Sequence, residues 1–154
     1  MTKPFSLQPL INLAQIQNES ATRKLGQLNK QQQDAQSKLE MLQRYRSDYQ
    51  ARLQESAQLG MHPAELRNFQ EFISKLDDAI TQQLKAVDQS KVSAQIGRNE
   101  FHSTQRKLKS FDTLQQRHNA EQSKIAEKHE QKAMDEHTGR QAARKMLNEK
   151  EPNI

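Results

Sequence analysis

The helix breakers constrain this chain more than anything else in it. Proline stands only at positions 4, 9, 63 and 152, and glycine only at 26, 60, 97 and 139. Nothing between Pro9 and Pro63, or between Pro63 and Pro152, obliges a helix to stop, because an isolated interior glycine weakens a helix without ending it. The spacing predicts helix 1 over 8–57, a turn at 58–62 and helix 2 over 63–147, with short tails at 1–7 and 148–154. Ser6 is placed to cap the first helix, with Pro9 in a first turn that needs no proline N–H. Gly60 can end that helix in the left-handed conformation. Pro63 then restarts the chain at a first-turn position, and Glu65 lies close behind, where the helix dipole favours an acid.

What such helices can bury follows from their apolar residues. Only 32% of the chain is hydrophobic, aromatics make up 5%, tryptophan is absent and glutamine alone accounts for 23 residues. That is too little apolar material for a compact globule of 154 residues, but enough for one narrow stripe on each helix. The stripes are heptads. On helix 1 one column runs Ile11, Asn18, Leu25, Gln32, Leu39, Arg46, Leu53 and the other Ala14, Ala21, Leu28, Ala35, Leu42, Tyr49, Ser56. On helix 2 they run Leu66, Ile73, Ile80, Val87, Ala94, Phe101, Leu108 and Phe69, Leu76, Gln83, Ser90, Gly97, Thr104, Phe111. The predicted fold is all-α: a long two-helix antiparallel coiled-coil hairpin with a left-handed supercoil and the second helix the longer. Polar residues in the columns (Asn18, Gln32, Arg46, Gln83) weaken such a pair but fix its register.

A turn near residue 60 sets residue i opposite about residue 120 − i, so helix 1 runs out near residue 112 and a single-helix extension begins at about 113. That extension depends on weak i,i+4 pairs such as Glu136 with Arg140, each contributing about 0.2–0.5 kcal/mol. A second helix of this length would measure roughly 120 Å. Gly26 and Gly97 fall nearly opposite one another; the reading taken is close backbone approach, with a bend as the alternative.

Several chemistries are left without residues to perform them. There is no cysteine, hence no disulfide or thiolate nucleophile. No glycine pattern cradles a phosphate, and the five histidines include no HExxH and no i,i+4 pair. Acidic neighbours such as Asp77–Asp78 lie on a helix with no cleft to raise a pKa. No enzyme, cofactor or metal site is expected. No apolar run approaches a membrane span and no secretory signal opens the chain, so a soluble cytoplasmic protein without direct membrane insertion is expected. The net charge of +5 is spread thinly rather than clustered, which argues against a nucleic-acid partner.

One cluster exceeds what a two-helix seam requires. Leu42, Tyr45 and Tyr49 on helix 1 come level with Phe69, Phe72, Leu76 and Ala79 on helix 2, and Tyr45, Phe72 and Ala79 lie outside the core columns. The aromatic residues either widen the seam near the turn or remain exposed as a docking patch. Residues 131–144 admit two readings as well: a solvated tail, or a segment that orders on a partner.

Four strings, in order along the chain, resemble the flagellar export protein FliJ family. They are Leu42-x-x-Tyr45-x-x-x-Tyr49; Asn68-Phe69-Gln70-Glu71-Phe72 with Leu76; Lys107-Leu108-x-x-Phe111-x-x-Leu114-Gln115-x-Arg117; and Gln131-Lys132-x-Met134-Asp135-Glu136. The resemblance implies a non-enzymatic stalk and adaptor of the flagellar type III export apparatus, held at the cytoplasmic face of the inner membrane through that apparatus. Its implied partners are a hexameric export ATPase, the cytoplasmic region of a transmembrane export-gate protein, and export chaperones. The resemblance places the gate-contacting surface at Leu42, Tyr45, Tyr49, Phe72, Leu76 and Ala79, and ATPase contacts at Arg23, Arg117, Met134, Asp135, Glu136 and Arg140. Lys38 and Gln83 depart from the Gln and His that the family carries beside that surface, so the likeness covers the centre of the patch and not its edges. The alternatives are the stalk of a virulence type III secretion system or a generic coiled-coil tether.

Overall fold

The computed structural model describes residues 6–150; the outermost parts of the two expected tails, 1–5 and 151–154, lie outside the described residues. Two helices account for nearly everything described: α1 (Gln8–Leu59) and α2 (Pro63–Lys150). There is no strand among the described residues. The helices pack against each other as a helical hairpin, in keeping with the fold class read from the breakers and heptads.

The breakers act locally as their chemistry requires. The Gln8 N–H donates to Ser6 Oγ at 3.3 Å, and the Ile11 N–H donates to the Leu7 carbonyl at 2.9 Å, opening α1. Gly60 ends it at φ 91°, a left-handed conformation in which an L side chain would be strained. The Leu66 N–H reaches back to the His62 carbonyl at 3.1 Å, which makes Pro63 the first residue of α2 and leaves its missing N–H without consequence. Glu65 sits in that first turn.

The chain divides into two compact units, Asn12–Leu108 and the pair of segments 1–11 with 109–154. In the first, α1 and α2 meet along the heptad columns. No α1 column position is exposed, and on α2 only Leu66, at 37%, is open to solvent. Within this unit the buried apolar residues are small or slender: Ala14, Ala21, Leu39, Ile73, Leu76, Val87 and Ala94. No large side chain among the described residues is completely enclosed, because two helices cover a side chain from too few directions.

Three polar seam residues, Asn18, Arg46 and Gln83, pair across the interface and help define its register. Asn18 Nδ2 donates to Thr104 Oγ1 at 3.1 Å, and Gln83, only 9% exposed, donates from Nε2 to the Ala35 carbonyl at 2.9 Å. Lys24 pairs with Glu100 at 3.3 Å, and Arg46 with Asp77. These pairs set residue i opposite about residue 122 − i, two residues from the sequence-based value. Side-chain hydrogen bonds of this kind contribute about 1 kcal/mol each, but a slipped register would leave Gln83 buried without a partner.

The glycine expectation needs correcting. Gly97 is buried, and a Cβ there would stand 2.6 Å from Leu28 Cδ1 and 3.9 Å from Leu25 Cα. Gly26 is exposed, with nothing within 4 Å of where its Cβ would be. Close approach is therefore made by Gly97 against the Leu25–Leu28 turn alone. Gly97 occupies a column and Gly26 stands one residue past one.

In the second unit Ile11 is buried, and Leu7, Phe111, Gln115 and His118 are half-buried. Every residue from 119 to 150 is exposed, including Ile125, Met134, Met146 and Leu147. The ion pair expected between Glu136 and Arg140 is not formed, as no such pair comes within 4 Å among the described residues. Both residues are exposed, where water competes and fixing two long side chains costs about as much as the contact returns.

Candidate docking surface

Heptad position determines what the hairpin displays near its turn. Leu42, Tyr49 and Leu76 fall in the columns; Tyr45, Phe72 and Ala79 fall beside them, on one and the same flank of the antiparallel seam. Leu76 is buried at 8% exposure, and Leu42, Tyr49 and Ala79 are half-buried. Tyr45 is 51% exposed and Phe72 41%. Six residues expected as one surface thus divide by exposure: Tyr45 and Phe72 present rings to solvent, Ala79, Leu42 and Tyr49 are half-buried beside them, and Leu76 is buried in its column.

Tyr49 is the centre of the ring contacts. Its ring lies 4.3 Å from that of Phe72 (centroid to centroid, tilted by 32°) and 6.1 Å from that of Phe69. The Arg52 guanidinium covers the Tyr49 ring at 5.6 Å, within cation–π range. Offset aromatic contacts of this kind contribute about 0.5–1.5 kcal/mol beyond area burial and restrict ring motion. Phe72 is therefore held by ring contact with its neighbour while keeping much of its surface free.

The opposite flank is closed differently. Arg46 occupies a column position that an apolar side chain would normally fill, and it turns outward to Asp77, donating from Nε to Oδ1 and from Nη2 to Oδ2, the latter at 3.5 Å. The hydrogen bond to Asp77, and after it the carboxylate's charge, raise the Arg46 pKa above its already high ordinary value, so the guanidinium stays charged at every accessible pH. Sequence reasoning missed both this pair and the role of Arg52. The signal for the first was an arginine in a core column with an acid near the opposed position; no comparable signal marked the second.

The residues expected to contact the ATPase are all exposed. Arg23 belongs to the Asn12–Leu108 unit, whereas Arg117, Met134, Asp135, Glu136 and Arg140 belong to the other. Met134, at 69% exposure, stands with Asp135, Glu136 and Arg140 within two turns of α2.

No group of three or more His, Asp or Glu residues is gathered for a metal among the described residues, and no helix described is long and apolar enough to cross a membrane. The described surface offers rings and charges on a helical scaffold.

Comparison with known proteins agrees with the architecture. The family model described as "Flagellar FliJ protein" matches residues 2–147. The Flagellar FliJ protein of Escherichia coli (strain K12) is 31% identical over 145 residues, covering 94% of this chain and 99% of that protein. The Flagellar FliJ protein of Salmonella typhi is 29% identical over the same shares of the two chains. The chain belongs to the FliJ family and is a flagellar export-related protein.

Proposed function

We propose that this protein is a non-enzymatic stalk and adaptor of the flagellar export apparatus, working by protein contacts made at separate parts of the chain. In this reading the aromatic belt of Tyr45 and Phe72 docks on the cytoplasmic region of the export gate. Residues around Arg117 and 134–140, with Arg23, engage the hexameric export ATPase, and export chaperones are escorted by the same protein. The protein then resides in the cytoplasm, peripheral to the inner membrane through its partners, with no nucleic-acid partner and no direct membrane insertion.

The observation that carries this reading is the pair of exposed rings on one flank of the seam, Tyr45 and Phe72, the second of them backed by the half-buried ring of Tyr49. Partly exposed aromatics on a rigid scaffold lose little conformational entropy when a partner covers them, which is why such residues dominate interface energetics. The uniformly exposed stretch 119–150 supports the second contact, since a helix with no intramolecular partner for its apolar residues is available for one in trans. The flagellar family match favours a flagellar apparatus over a virulence secretion system.

The test is to replace Tyr45 and Phe72 by alanine in the cell. Helicity of the purified variant should be unchanged while motility and secretion are lost; normal secretion would remove the belt from the mechanism. Deleting residues 130–154 should weaken activation of the ATPase, and an unchanged turnover rate would exclude that segment.

A further inference from the structure

The outer face of α1 carries a second feature, continuous with the belt. Met41, Arg44, Tyr45 and Asp48 stand at i, i+3, i+4 and i+7, hence on one helix face, and together line a shallow furrow. Its floor is apolar: Met41 is 41% exposed and Tyr45 51%. Its walls carry opposite charges, Arg44 and Asp48, that no described residue pairs with. Two neighbouring arginines are committed, Arg46 to Asp77 and Arg52 to the Tyr49 ring. Arg44 and Asp48 make no ion pair within 4 Å among the described residues. Their order along the helix, base before acid, is the less favourable one for pairing with each other.

We propose that this furrow is part of the docking surface and selects its occupant by charge. Resting on the reading of the belt as the gate contact, the inference extends that contact from the flank bearing Phe72, across the shared ring of Tyr45, onto the outside of α1. The occupant is an amphipathic helical segment of the gate's cytoplasmic region. It presents an apolar side chain to Met41 and Tyr45, an acid to Arg44 and a base to Asp48. Arg44 and Asp48 lie about 6 Å apart along the helix axis, a separation that an acid and a base four residues apart on a partner helix reproduce. Apolar contact supplies affinity, and the two uncommitted charges reject segments of the wrong polarity, since like charges brought together at an interface are strongly unfavourable.

The experiment uses the full chain with the purified cytoplasmic region of the gate. A photoreactive benzoylphenylalanine is placed at Met41, at Phe72 or, as control, at Lys30. Cross-links from 41 and 72 but not 30 are expected. A cross-link from 72 alone overturns the furrow while leaving the belt standing; none from either overturns the belt and the furrow with it; equal products from all three mark unspecific contact and overturn both. In a second arm, Arg44→Glu and Asp48→Lys should each weaken binding by about tenfold, with helicity unchanged and Arg44→Lys retaining most of the affinity. Affinities within twofold of the unaltered protein in both reversals would show that charge plays no part in selection.

Discussion

The separation of support from display within the belt makes a quantitative prediction about Leu76 and Tyr45. Leu76 is 8% exposed; Tyr45 is 51% exposed, although its side chain is the larger. Truncating a buried leucine removes about 1.5–3 kcal/mol of transfer free energy and adds the cost of the cavity left behind. A two-helix seam is open along both flanks and can collapse on the gap, so Leu76→Ala should lie near the lower end of the leucine range, about 2–3 kcal/mol. Tyr45→Ala gives up only the covered half of a ring, about 1 kcal/mol or less. In a chain of this size those values correspond to midpoint shifts of about 5–10 °C and about 2–4 °C respectively. The molecule supplies its own reporter: it has two tyrosines and no tryptophan, and both tyrosines lie in the belt. Tyrosine fluorescence, or near-ultraviolet dichroism, followed through a thermal or urea transition therefore reads this region alone, uncoloured by the exposed end of α2. Both variants should lose partner binding, but only Tyr45→Ala should do so with a nearly intact transition. If Tyr45→Ala proved as destabilising as Leu76→Ala, Tyr45 would be part of the support and the division of roles would be wrong.

Two further perturbations test the packing. Gly26→Ala, in open space within a helix, should stabilise the chain by up to about 1 kcal/mol, whereas Gly97→Ala should gain less, because its Cβ would stand 2.6 Å from Leu28 Cδ1 and that side chain must turn away to admit it; equal effects in thermal melts would refute the close approach. Deleting residues 119–150 should reduce far-ultraviolet helical signal while leaving the tyrosine-reported transition where it was; a midpoint lowered by several degrees would mean that the segment packs on something.

Much of the fold was legible in the sequence because a coiled-coil hairpin is specified by few and local signals. A seven-residue period marks the stripe that must be covered, and Pro63 and Gly60 mark where the chain reverses. Those signals place nearly every column residue out of solvent, with Leu66, next to the turn, as the exception. Where the reading fell short, it neglected its own columns. Gly97 is in a column and Gly26 is not, so only the former could sit at the interface. Leu76 is likewise a column residue, and the hairpin leaves it 8% exposed. The Arg46–Asp77 pair lay beyond a count of apolar positions, since it depends on a side chain leaving its column to meet an acid on the flank. The identity of partners was never in the periodicity; it entered through resemblance, since a helical hairpin with these heptads serves equally well in other assemblies.

The account rests on the claim that the two exposed rings of the belt are a docking surface and not excess seam. The most direct measurement is a binding isotherm between the purified chain and the cytoplasmic region of the export gate, repeated with Tyr45→Ala and Phe72→Ala together. Loss of at least about a hundredfold in affinity is predicted, as expected for two anchors of about 1.5 kcal/mol or more each, with the helical signal unchanged. Affinity within a few-fold of the unaltered chain, at the same helicity, would contradict it.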